Sequence, residues 1–147
     1  MLNHAYANIG SYTVVVKVTD DAGHVGTDTV LVTVVYRFTG FFPPVANVPT
    51  QNAAHAGSVV PTKFSLSGYQ DATPFTVESA PIACDSGQPL GAPETALSPG
   101  ASGVQYDSTT DQYQFNWKTD AGWAGTCRQL IVTTNDNVAH GADFEFR

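Results

Sequence analysis

The stretch from Tyr113 to Val132 constrains this chain more than any other. Tyr113, Phe115 and Trp117 alternate with Gln114, Asn116 and Lys118, the period-two pattern of a strand with one buried face. A connection containing Gly122 and Gly125 leads to a second apolar run from about Cys127 to Thr133, and the whole reads as a β-hairpin. One of only two cysteines opens the return strand. An even cysteine count in a β-rich, lysine-poor chain favours a single structural bridge, Cys84 to Cys127, tying this stretch to the middle of the sequence. The alternative is a pair of buried free thiols. In the bridged form Trp117, which shares parity with Tyr113 and Phe115, belongs in the core beside the disulfide.

Length and charge narrow the class further. The 147 residues hold one full domain, or one domain with part of another, and 42% hydrophobic content suffices for a core. Only 13% of residues are charged, against roughly a quarter in ordinary soluble domains, while Thr, Val, Ser, Gly and Ala dominate. That is the composition of secreted all-β modules. A net charge of -7, from 13 acidic against 6 basic residues, argues against nucleic acid and anionic membranes as partners. No apolar run reaches the roughly 20 residues of a membrane span, and no export signal is recognisable. A secreted character without such a signal suggests either a piece of a longer protein or a Met1 added for expression.

At the N-terminal end, Tyr12, Val14, Val16 and Val18 share one strand face, Asp20 to Gly23 has turn chemistry, and Thr27 to Val35 supplies a second strand. His4-Ala-Tyr6, Gly10-Ser-Tyr12-Thr-Val14 and Val18-Thr-Asp20-Asp-Ala-Gly23 together resemble the second half of a PKD domain, an immunoglobulin-like sandwich of bacterial surface proteins and secreted hydrolases. In that resemblance His4, Tyr6, Gly10 and Tyr12 are part of the fold signature. The family's first strands and its Trp-Asp-Phe-Gly-Asp-Gly segment have no counterpart before His4. Two strands alone are marginal in water. Residues 1–36 are therefore expected to lean on the rest of the chain, to pair with another copy, or to leave an open edge for strand addition.

The next segment, Tyr36 to Gln51, carries prolines at 43, 44 and 49, which force extended backbone and mark an edge or crossover. Phe38, Phe41 and Phe42 read as core and inter-module packing in preference to a ligand platform. Further on, Ala56-Gly-Ser-Val-Val60-Pro61-Thr-Lys63-Phe64, Pro81-Ile-Ala-Cys84-Asp, Trp123-Ala-Gly-Thr-Cys127-Arg-Gln-Leu and Ala142-Asp-Phe144-Glu-Phe146-Arg are similar, in order, to the bacterial PxKF domain. The resemblance implies a non-catalytic C-terminal module of secreted or surface proteins, with Pro61, Lys63, Phe64 and Trp117 as structural motif residues. Lys63 faces away from Phe64, with Val59 and Ser65, and reads as a snorkelling or ion-paired lysine at a sandwich edge. Short strands are expected near Phe75 to Val77, Pro81 to Cys84 and Val104 to Asp107. Turns are expected at Tyr106 to Tyr113 and Asn135 to Asn137, with a last strand through Phe144 and Phe146.

Catalytic patterns are absent. There is no nucleophile elbow, phosphate-binding loop or EF-hand spacing. His4, His24, His55 and His140 are scattered singly, as loop or surface residues outside any zinc pattern. Asp20 with Asp21, and Asp107 with Asp111, could offer oxygens to Ca²⁺, but their positions suit hairpin turns. No cofactor or metal is implied. Tyr69 and Trp123, in loop-like contexts, are the candidate ligand contacts, Trp123 reading first as a cap over the sandwich end.

The resulting expectation is an all-β chain: a partial PKD-like hairpin in residues 1–36, then an immunoglobulin-like antiparallel β-sandwich in residues 37–147. Its expected role is a spacer, anchor or self-assembling module of an extracellular bacterial protein. Partners would be other domains of a parent surface protein, or copies of itself through edge strands, with no nucleic acid and no membrane insertion. The alternative is a carbohydrate-binding accessory module that uses Trp123, Tyr69 or the Phe41–Phe42 pair on a glycan.

Overall fold

The computed structural model describes residues 4–100 and 102–147. It divides into two compact units, one ending at Tyr36 and the other spanning Arg37–Arg147.

In the N-terminal unit, β1 (Gly10–Thr19) pairs antiparallel with β2 (Val25–Val34) along its whole length, from Gly10 opposite Val34 to Thr19 opposite Val25. The β-branched valines and threonines favour this pleated state. Asp20 closes the turn. Its Oδ1 accepts from the backbone N–H groups of Ala22 and His24 at 3.0 and 2.7 Å, and Gly23 takes the positive φ of 85° that the turn requires.

The C-terminal unit is a two-layer β-sandwich. One sheet has four strands in the order β3 (Thr39–Phe42), β5 (Val59–Ser65), β9 (Gln112–Lys118), β8 (Val104–Asp107), all antiparallel. The other has five, β4 (Gln51–Ala54), β11 (Ala139–Phe146), β10 (Cys127–Thr134), β6 (Phe75–Ile82), β7 (Glu94–Thr95), with β4 parallel to β11 and the remaining pairs antiparallel. The strands at all four sheet borders are four residues or shorter, which limits strand addition to this unit.

Alternation supplies the core. Val60, Thr62 and Phe64 from β5, Tyr113, Phe115 and Trp117 from β9, Leu130 and Val132 from β10, and Ala142, Phe144 and Phe146 from β11 are all buried. Burying each large apolar side chain is worth roughly 1.5–3 kcal/mol. Phe64 packs on Phe38, Phe41, Phe75 and Tyr113, and Trp117 packs on Phe144 and Phe146.

Three sequence readings need correction. The stretch from Tyr113 to Val132 is not a hairpin: β9 lies in the four-stranded sheet and β10 in the five-stranded one. Period-two alternation identifies strands without naming their neighbours, and the connection from Thr119 to Thr126 is long enough to cross the roughly 10 Å between layers. Second, the separate strands expected near Phe75 and Pro81 are one continuous strand, β6. Pro81 is tolerated because its carbonyl accepts from Leu90 N–H on the side away from β10, so its missing donor also faces outward. Third, Cys84 and Cys127 are bridged, but Trp117 does not lie beside the bridge. Cys127 has the opposite parity to the inward Leu130 and Val132, so the disulfide sits on the outer face of its sheet.

The bridge spans 43 positions with a Cα–Cα distance of 5.2 Å. In the chain-entropy account this is worth about 4 kcal/mol, with real bridges commonly at 2–4 kcal/mol. Because the bridge lies on the outer face of its sheet, with Cys84 exposed and Cys127 buried, reduction is expected to lower stability by about that amount while the β-signature survives. Urea unfolding with and without dithiothreitol, followed by circular dichroism, measures this.

Candidate interaction surface and the capped end of the sandwich

The hairpin of the N-terminal unit presents an apolar face that no further strand of that unit covers. Tyr12, Val14, Val16 and Val18 of β1 lie beside Val30, Val32 and Val34 of β2 on one side, yet none is buried. Val18 is 65% exposed, and on the opposite face Val15 and Leu31 are 62% and 69% exposed. Among the described residues no third strand joins this sheet. This apolar surface, with two backbone edges unpaired among the described residues, is the candidate interaction surface of the chain. At its N-terminal end His4, Tyr6, Gly10 and Tyr12 come together. The His4 and Tyr6 rings meet edge to face at 4.5 Å, Tyr6 lies against Tyr12 at 4.5 Å, and Tyr12 hydroxyl donates to the Asn8 carbonyl at 3.0 Å. Gly10 takes a φ of 147°, a backbone conformation that favours glycine, while a Cβ there would make only ordinary contact with the Tyr12 ring at 3.7 Å.

At one end of the sandwich the crossover between β9 and β10 carries a short 3-10 turn, Ala121–Trp123, capped by Asp120 through Gly122 N–H. The turn lays Trp123, half-buried, against Trp117 and Phe146 at ring distances of 5.7 and 5.5 Å. Arg128 sets its guanidinium over the Trp123 ring, 4.0 Å from the centroid. Arg128 is the residue that sequence reasoning missed. It occupies the first inward position of β10, in parity with Leu130 and Val132, and is buried. Its Nη2 donates to Ser79 Oγ and the Ser79 carbonyl at 3.2 Å and to the Glu94 carboxylate. The signal was present as a charged residue in an apolar row, next to a cysteine that drew attention first. A cavity of about 270 Å³ lies beside this cluster, lined by Glu94, Leu97, Trp117, Lys118, Asp120 and Trp123 among others.

The other motif residues serve the fold. Phe64 is fully buried, and Pro61 lies beyond the part of β5 that β3 pairs, so the missing N–H costs little there. Lys63 is half-buried opposite Gln114 and makes no ion pair among the described residues. Tyr69 is 59% exposed and meets Tyr106 edge to face at 5.2 Å. Beneath it Tyr113 hydroxyl accepts from Gln70 N–H at 2.7 Å and donates to the Asp71 carbonyl at 3.1 Å, pinning this loop to β9. His140 is not a loop residue: it lies on β11, half-buried and stacked on Phe38 at 3.7 Å. Burial holds its pKa below the ordinary 6.5.

The paired aspartates are structural acceptors. Asp107 takes Thr109 N–H and Thr110 hydroxyl, each at 2.9 Å. Asp111, in the left-handed region at φ 53°, accepts from Ser65 hydroxyl, Gly68 N–H and Tyr106 hydroxyl at 2.8, 2.9 and 2.8 Å. Those hydrogen bonds, Ser65 first and Tyr106 second, hold its pKa below the ordinary 3.8. Among the described residues no three metal-ligating side chains come together, and no helix is long and apolar enough to cross a membrane. A scan against protein-family models finds no match for this chain, and a search of curated proteins finds none either.

Two outcomes are expected. Glu94→Gln leaves buried Arg128 without its counter-charge and should lower stability by about 1–2 kcal/mol, since Glu94 itself is largely solvated. Arg128→Met should stay within about 1 kcal/mol of the parent, because it also removes an Nε that has no partner among the described residues. Paired urea titrations distinguish the two. For Asp111, a depressed folded-state pKa means its stabilisation is fully present above the ordinary 3.8 and is lost as pH falls through the lower folded value. Urea midpoints between pH 5 and 2 should therefore drop more steeply for the parent than for Asp111→Asn.

Proposed function

We infer that this chain is a non-catalytic structural module of an extracellular bacterial protein, associating with its neighbours by β-strand pairing. In this reading residues 1–36 are the C-terminal half of a PKD domain and residues 37–147 a PxKF domain, displayed at or secreted from the cell surface. The observation that carries it is the two-stranded sheet, with ten-residue strands, exposed apolar side chains and two edges unpaired among the described residues. A sheet of this kind requires a covering or pairing partner. The sandwich supports the same role from the other side. Its short border strands and external disulfide make a rigid body whose own edges do not propagate.

A carbohydrate-binding role has weaker support. The guanidinium of Arg128 already covers one face of Trp123, which leaves Tyr69 as the exposed aromatic in question.

Light scattering across a dilution series under non-reducing conditions is the test. Association is expected at high concentration, with loss of the larger species on dilution and in Val16→Lys, which charges the apolar face. A monomer at every concentration, equally in the parent and in Val16→Lys, would remove the basis for assembly through the hairpin.

A further inference from the structure

We propose that the hairpin's partner is a second copy of itself, joined β1 to β1 in antiparallel register with Val15 on the two-fold axis. The proposal rests on the assembly reading above and specifies its geometry.

The outward-facing backbone groups can be assigned. Asp20 N–H donates to the His24 carbonyl at 3.0 Å, continuing the register that pairs Thr19 with Val25. Even-numbered residues of β1 thus turn their N–H and C=O groups toward β2, and Ser11, Thr13, Val15, Lys17 and Thr19 turn theirs outward. The same parity makes Val25, Thr27, Thr29, Leu31 and Thr33 the outward set of β2. Among the described residues neither set meets another strand.

The two edges differ in what a new strand would meet. On the apolar face β1 carries Tyr12, Val14, Val16 and Val18 without a charge. On that face β2 carries Asp28, whose Oδ1 accepts from Thr29 N–H at 2.8 Å, together with Gly26. A strand added along β2 would desolvate that carboxylate, the device by which natural sheets guard an edge. The one charge of β1, Lys17, lies on the opposite face, so its apolar face can be extended without desolvating a charge.

Register follows from parity and matching. A slip by one residue would place apolar against polar faces. Of the two in-phase registers that pair the most residues, the one centred on Val14 sets Val18 opposite Gly10 and leaves the outward groups of Thr19 unpaired. Centring on Val15 instead pairs Tyr12 with Val18 and Val14 with Val16. All five outward residues then find partners: Ser11 with Thr19, Thr13 with Lys17, and Val15 with itself. The two Lys17 side chains stay apart.

Area selects edge pairing over simple face-to-face stacking. Two ten-residue strands offer a face of roughly 340 Å², so stacking two hairpins buries roughly 700 Å², short of the roughly 1,200 Å² of specific interfaces. Edge pairing doubles the face. Two such pairs can then close on each other over roughly 1,400 Å².

The experiment is single-cysteine cross-linking of the full chain, with Val15→Cys and Thr29→Cys compared under mild oxidation on non-reducing gels. Mass spectrometry checks that the Cys84–Cys127 bridge persists. Two residues paired by hydrogen bonds stand about 5.5 Å apart at Cα, within disulfide reach. Val15→Cys should form a covalent dimer about tenfold more readily than Thr29→Cys, and the native mass should be an even multiple of the monomer. Cross-linking through Thr29→Cys alone, or equally through both, overturns the β1 edge and leaves hairpin-mediated assembly standing. If neither cross-links while the unsubstituted chain is oligomeric, the register proposed here is wrong. If neither cross-links and that chain is monomeric, the assembly reading fails with it.

Discussion

The crossover from Thr119 to Thr126 holds the sandwich together. It is the covalent link between an inner strand of the four-stranded layer and the central strand of the five-stranded one, and both its ends are tied. Thr119 donates to the Ser58 carbonyl from its N–H at 3.0 Å and from its hydroxyl at 2.6 Å. At the other end Gly125 N–H reaches the Phe146 carbonyl at 2.8 Å, and Phe146 N–H returns to Thr126 at 2.9 Å. Those four hydrogen bonds fix the layer separation at the point where Trp117, Phe144 and Phe146 meet. Trp123 and Arg128 then close the end that the crossover leaves open.

This arrangement explains why a cation is tolerated at the margin of the core. An inward-facing position at the end of a strand needs a side chain that fills space and yet reaches solvent. Arg128 does so by lying across an indole, anchoring on Ser79, and presenting its charge to Glu94 near the surface. A leucine there would fill the volume but would leave Glu94 without its partner.

The strands themselves were largely legible in the sequence: alternation in β5 and β9 is a direct imprint of one buried face, and β1 and β2 carry the same period two without burying a residue. Partnership was not. Tyr113 to Val132 has the pattern of two adjacent strands, and nothing in the alternation distinguishes a hairpin from a crossover between layers. Local turn chemistry did locate true hairpins at Asp20 to Gly23, at Asp107 to Asp111 and at Asn135 to Asn137. Pro81 misled because a proline's cost depends on which way its missing donor faces, a property of the sheet and not of the residue. His140 misled for a related reason: its companion Phe38 is remote in sequence, so the stacked pair leaves no local trace. The disulfide was foreseeable from cysteine count, whereas its placement outside the core required the register of β10.

Both tryptophans of the chain sit at the same end of the sandwich, their rings 5.7 Å apart. Intrinsic tryptophan emission therefore reports on one place only. It follows the crossover and the layer beneath it, whereas the aromatic residues of the N-terminal unit are tyrosines and two histidines, His4 and His24. Residues 4–36 contribute directly to backbone and tyrosine spectroscopy but carry no tryptophan, so a difference between the two signals would resolve two cooperative transitions within one chain.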